Sequence, residues 1–132
     1  MSVLQEIARQ LDSVGIKYQY DQQNNFIGMR WQTDHFDDLR VRIVTNRDES
    51  WLYIVAPFGN FYKVDSDKQF QFAIDMLKES WRANGVKMAL DDDNDIIVIA
   101  ETNDRELTGE ELRQLVGNVV HACDKLWDIY PA

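Results

Sequence analysis

The sequence predicts an α+β domain, in the order helix, three or four antiparallel strands, helix, two strands and a long carboxy-terminal helix, with the helices packed on one face of an antiparallel sheet. Three observations predict it. Apolar residues recur at helical spacing in three separate stretches, at the beginning, the middle and the end of the chain. Between the first two stretches the apolar period falls to two, in short runs broken by turn-forming residues. Nowhere do strand and helix patterns alternate as a doubly wound nucleotide-binding fold requires.

The first helix opens on Ser2-Val-Leu-Gln5, a capping box in which Ser2 accepts from a free amide of the first turn. Val3, Leu4, Ile7, Ala8, Leu11 and Val14 follow at helical spacing, and Gly15 stops the helix. Ile16, Tyr18 and Tyr20 then alternate with Lys17 and Gln19, and QQNN turns the chain before Ile27, Met29 and Trp31. After the loop TDHFDD, Leu39, Val41 and Ile43 alternate with Arg40 and Arg42. The turn NRDES leads into a fourth run over Trp51 to Ala56, which Pro57 is expected to end.

Asp65, Ser66 or Asp67 is placed to cap the middle helix, which covers about 67–84. This helix carries two apolar stripes. Phe70, Ala73, Ile74, Leu77 and Trp81 form one, and Phe72, Met76 and Ala83 form another on nearly the opposite side. Val86 to Leu90 and Ile96 to Thr102 make a hairpin around an acidic turn. Thr108-Gly-Glu-Glu111 is a second capping box, and Leu112, Leu115, Val116, Val119, Val120, Cys123, Leu126, Trp127 and Tyr130 share one broad stripe behind it. Gly28 in a strand and Gly117 in a helix are expected to mark close backbone approaches.

At 132 residues the chain makes one domain, 1–132, with no linker or internal repeat. It holds 23 acidic and 14 basic side chains, a net charge of −9. Such a surface repels phosphate backbones and anionic lipid at long range, which argues against nucleic acid and membrane as partners. No apolar stretch reaches the ~20 residues that cross a bilayer. The single cysteine, Cys123, precludes an internal disulfide, and a cytoplasmic location is expected.

Two acidic clusters are candidate metal sites. In an EF-hand register beginning at Asp91, the sixth position is Ile96 where glycine should turn the chain, and the twelfth is Thr102 where a bidentate glutamate belongs. Asp91–Asp95 therefore reads as a hairpin turn, in which Asp and Asn tolerate left-handed backbone. The Asp34–Asp38 loop sets His35 among carboxylates, but the other histidine, His121, lies far along the chain on the polar side of the last helix. Cys123 falls within the apolar stripe, as an inert buried thiol would. No catalytic residue, cofactor or metal ligand is assigned.

Residues 86–127 hold an acidic turn between two short strands (Asp91–Asp95), a Leu-Thr-x-Glu-Glu-Leu helix start (Leu107 to Leu112) and an Ala-x-Asp step (Ala122 to Asp124). In these features the chain resembles the carboxy-terminal half of YbjN-domain proteins, and the order of its earlier elements agrees along nearly its whole length. The resemblance implies a fold similar to that of the small acidic chaperones of type III secretion, which are dimeric and non-catalytic and bind extended client segments. It implies a bacterial stress or regulatory role with no defined biochemical activity and no catalytic residues. The fourth strand before the middle helix departs from the three expected in those chaperones.

The expected function is thus a non-enzymatic cytoplasmic protein-binding module, chaperone-like or regulatory, forming a homodimer and taking a protein client. A helix on a sheet needs only one apolar side, so Phe72, Met76 and Ala83 either pack within the chain, under a loop or against another helix, or form the dimer or partner contact expected under this reading. The alternative is a metal-dependent or small-molecule enzyme using the Asp34–Asp38 loop or the Asp91–Asp95 turn. Whether Phe58, Phe61 and Tyr62 seal the core or form a binding lip stays open.

Overall fold

The computed structural model describes residues 1–131. Helix α1 (Val3–Ser13) leads into β1 (Gln19–Asp21), β2 (Phe26–Trp31), β3 (Leu39–Thr45) and β4 (Leu52–Asn60). A 3-10 turn (Phe61–Lys63) precedes α2 (Ser66–Arg82), and β5 (Lys87–Leu90), β6 (Asp95–Thr102) and α3 (Gly109–Ile129) complete the chain. All six strands join one antiparallel sheet in the order β1-β2-β3-β4-β6-β5. The predicted α+β class and element order hold, with four strands before α2.

Strict alternation along the strands sets the core. Ile27, Met29, Leu39, Val41, Ile43, Leu52, Ile54, Ala56, Ile96, Val98 and Ala100 all point to one face and are buried there. From the helices Leu4, Ile7, Leu11, Leu112, Val116, Val119, Cys123 and Leu126 close over them. A one-residue slip in any strand would turn this set to solvent, which is how the pattern specifies register.

Both predicted capping boxes form. Gln5 N–H donates to Ser2 Oγ at 3.2 Å while Ser2 N–H donates to Gln5 Oε1 at 2.9 Å. At α3 the reciprocal bonds between Thr108 and Glu111 are both 3.2 Å. Asp65 occupies the N-cap position of α2, but its side chain makes no cap hydrogen bond.

Pro57 does not end β4. The strand runs on to Asn60, with a register shift against β6 between Pro57 and Gly59. Pairing with β3 stops at Val55, so the amide that Pro57 lacks has no ladder bond to make on that side. Gly59, at φ +144°, takes up a backbone conformation that side chains disfavour.

The expected close approaches at Gly28 and Gly117 are absent. A Cβ on Gly28 would meet only the Phe26 ring at 3.5 Å, and one on Gly117 would meet nothing. Gly109 is the tight position instead. A Cβ there would lie 2.7 Å from the Gln10 carbonyl and 2.6 Å from Val14 Cγ1, because the start of α3 abuts the end of α1. The same junction is closed by the Arg113 guanidinium, which donates to the Val14 carbonyl at 2.6 Å. That carbonyl belongs to the C-cap of α1, and a cation suits the negative end of a helix.

Candidate partner-binding surface

Helix α2 packs against β5, α3 and the 3-10 turn, and its two apolar stripes separate cleanly. Phe72 is 1 % exposed and Met76 7 %. Phe72 stacks on Phe61, with centroids 6.2 Å apart, and meets the Tyr130 ring edge-on at 5.3 Å. The opposite stripe faces water, with Phe70 78 %, Leu77 71 % and Trp81 88 % exposed, while Ala73 and Ile74 are half-covered. The sequence reading is corrected here. Phe72 belongs to the core of the chain itself, where rings from two other elements receive it, and Met76 is buried in the same core. Ala83, the third expected contact, lines a cleft between α2 and α3 with Asn118 and His121. The stripe left over for a partner is Phe70, Ile74, Leu77 and Trp81.

Beside that stripe runs an open apolar groove of about 230 Å³, lined by Phe61, Ala73, Met76, Leu77, Met88, Ala89 and Leu90. Leu90, at the end of the edge strand, is 42 % exposed. The edge of β5 is partly guarded, since Met88 N–H donates to Ser80 Oγ of α2 at 2.9 Å. Stripe, groove and strand edge therefore form one continuous apolar region. Of the aromatics left open above, Phe61 is buried, Phe58 is half-buried and Tyr62 projects, 64 % exposed.

The Asp34–Asp38 loop is anchored to the end of α3. Thr33 Oγ1 donates to Asp124 Oδ1 at 2.9 Å, His35 stacks on Trp127 at 5.8 Å, and His35 Nε2 lies 3.5 Å from Asp128 Oδ1. Phe36 meets Trp127 and Phe58 at 5.5 and 5.8 Å, so the loop serves as an aromatic latch. His121 is exposed and far from it in the sequence, on the surface of α3.

The first carboxylate of the Asp91–Asp95 turn is spent on the turn's own backbone. Asp91 Oδ1 accepts from the amides of Asp93 and Asp95, each at 2.9 Å. Asn94 sits at φ +65°, the conformation expected of a tight hairpin turn. Asn60 Nδ2 donates to the Asp93 carbonyl and to Asp95 Oδ1 at 3.0 and 3.1 Å, tying the turn to the end of β4. Among the described residues no group of three or more His, Cys, Asp or Glu is placed to hold a metal ion. Cys123 is buried, and burial together with the neighbouring Asp124 charge pushes its thiol up to about 12. No described helix is long and apolar enough to cross a membrane.

No family model and no curated protein matches the sequence. Solved structures do match its fold. The crystal structure of the ExsC–ExsE complex matches with a TM-score of 0.71 and 12 % identity, covering 100 % of this chain and 98 % of that one. YbjN, a putative transcription regulator from E. coli, matches at TM-score 0.66 and 18 % identity, over 93 % of this chain and 87 % of its own. The Yersinia pestis type III secretion chaperone SycH, in complex with a stable fragment of YscM2, matches at 0.57 and 14 %, over 90 % and 94 %. The chain has the fold of YbjN and of type III secretion chaperones. At these identities the likeness fixes architecture alone. It does extend to the whole chain, including the amino-terminal half that the sequence motifs did not reach.

Proposed function

We propose that this chain is a non-enzymatic, chaperone-like protein-binding module that works in the cytoplasm as a homodimer and takes a protein client. One observation carries the proposal. Helix α2 has its inner face filled by Phe61, Tyr130 and the sheet, yet presents Phe70, Leu77 and Trp81 to water along its whole length. A row of large apolar side chains on a surface helix costs solubility and marks an interaction site. With the adjoining groove and Leu90, the region reaches several hundred Å² on aromatic and aliphatic areas of roughly 150–250 Å² per large ring, the scale of one side of a modest interface.

The architectural relatives support the same reading, since ExsC–ExsE and SycH with YscM2 are complexes between protein chains. The non-enzymatic part is supported by how the candidate groups are occupied. Asp91 of the hairpin turn holds two backbone amides, His35 is stacked on Trp127, and the one thiol is buried and protonated.

Affinity capture from the native host with wild-type protein and with the Leu77→Glu, Trp81→Glu double variant tests the reading. Wild-type protein should retain discrete partner proteins that the variant loses. Identical sets on both would contradict it.

A further inference from the structure

The sheet face turned away from the helices gathers cations that the overall composition hides. The chain is strongly acidic, with 23 acidic against 14 basic side chains. Even so, Lys17, Arg30, Arg40 and Arg42 line one shallow groove over β1, β2 and β3. Arg40 and Arg42 are two residues apart on β3, so both leave the same face of the strand. In the register of β2 with β3, Arg30 stands directly opposite Arg40, and Gly28 directly opposite Arg42.

Like charges directly opposite each other weaken an antiparallel pair, so this arrangement is a cost to the fold. It is only partly relieved. Asp38 lies between the two, with Oδ1 3.7 Å from Arg30 Nε and Oδ2 3.7 Å from Arg40 Nε. One carboxylate shared by two guanidiniums leaves positive charge over. Arg42 holds its guanidinium carbon 4.5 Å above the Phe26 ring, which fixes where the group sits on the sheet face. Among the described residues neither Arg42 nor Lys17 pairs with a carboxylate. The Phe26 ring lies over Gly28, where a Cβ would come within 3.5 Å of it, so the glycine makes room for the ring on which Arg42 rests.

We infer that this groove binds an extended acidic segment of a partner protein, with carboxylates at alternate positions meeting Arg40, Arg42 and Arg30. The spacing carries the choice. Residues two apart on an extended strand are about 6.6–6.8 Å apart, both on β3 and on a peptide laid over it. Each guanidinium presents a planar fork that a carboxylate fills with two hydrogen bonds. A nucleic acid fits less well. Its long run of phosphates would meet the net −9 field beyond the groove, whereas a short peptide feels mainly charges within about 8 Å. Of the two aromatics of the groove, Phe26 is covered by Arg42 and Tyr18 is packed partly buried against the core, so neither offers bases a free platform.

The site is separate from the α2 surface, which lies by β5 at the opposite edge of the sheet from β1. Its test is therefore independent of that reading. The probe is a fluorescein-labelled short peptide of alternating glutamate and valine, followed by fluorescence anisotropy on the full chain. Saturable binding is expected, weakening as salt rises from about 50 to about 300 mM. Arg40→Ser with Arg42→Ser should weaken it at least about tenfold. Gly28→Val, which crowds the Phe26 ring beneath Arg42 without changing charge, should do likewise, and Leu77→Glu should leave it unchanged. Thermal melts establish that each variant is folded. If the double serine variant does not fold, Gly28→Val alone decides. The inference is overturned by no binding at millimolar protein, by binding that survives Gly28→Val, by equal binding of a lysine–valine peptide, or by tighter binding of short single-stranded DNA.

Discussion

The ring of Phe72 meets that of Tyr130 edge to face, with centroids 5.3 Å apart and planes at 82°, joining the middle of α2 to the residue that ends α3. This contact, together with the stack on Phe61, decides which side of α2 turns inward. Phe72→Ala should cost about 3–5 kcal/mol in urea unfolding, the range for emptying a buried aromatic site. Trp81→Ser, on the outward side, should stay within about 0.5 kcal/mol of wild type in dilute protein. A double-mutant cycle between Phe72 and Tyr130 should return a coupling of roughly 0.5–1.5 kcal/mol.

Two glycines of the last helix should respond in opposite directions. Gly109→Ala forces a Cβ to 2.7 Å from the Gln10 carbonyl, and a backbone atom has little room to give. A loss of about 1–3 kcal/mol is expected, by the usual cost of overpacking. Gly117→Ala meets nothing within 4 Å and replaces a poor helix former, so a gain of roughly 0.5–1 kcal/mol is expected. Chemical denaturation of the two variants side by side measures both.

Cys123 should be inert to thiol reagents while the chain is folded. Its side chain is buried and its thiol is pushed up to about 12, so almost no thiolate exists near neutral pH. Ellman's reagent at pH 8 should label it only at the rate of global unfolding, and completely once denaturant is added.

The turn after β1 should lose its contribution to stability in acid. The Asp21 carboxylate accepts from the backbone amide and side-chain amide of Asn24, each at 2.9 Å, and these bonds hold its pKa below the ordinary aspartate value. A depressed folded pKa stabilises above the unfolded value of 3.8 and is lost as pH falls through the folded one. The stability difference between wild type and Asp21→Asn should therefore be present at pH 7 and vanish as the pH falls through the depressed folded value, as followed by melts across the acid range.

Much of the fold was legible because alternation and capping are local. Ser2 with Gln5 and Thr108 with Glu111 could be read as helix starts from four consecutive letters each, and Leu39, Val41 and Ile43 announced both a strand and its buried face. The continuation of β4 through Pro57 was not legible, because it depends on where the pairing of β3 stops. The two faces of α2 were visible as stripes, but not which one is inside. That is settled by Phe61, in the turn just before α2, together with Tyr130, brought from the far end of the chain. The cationic groove was hidden for the same reason. Arg40 and Arg42 alternate visibly on one strand, but only the register sets Arg30 opposite Arg40 and Gly28 opposite Arg42.

The proposed homodimer, for which the outward face of α2 is the candidate contact, is tested most directly by light scattering on the purified chain. At about 100 µM the wild-type mass should be twice the 15.5 kDa of one chain and should fall on dilution. The Leu77→Glu, Trp81→Glu double variant should show a single-chain mass at every concentration with its folded spectrum intact. A single-chain mass for wild type throughout, or a dimer that the double variant leaves unchanged, would contradict the account.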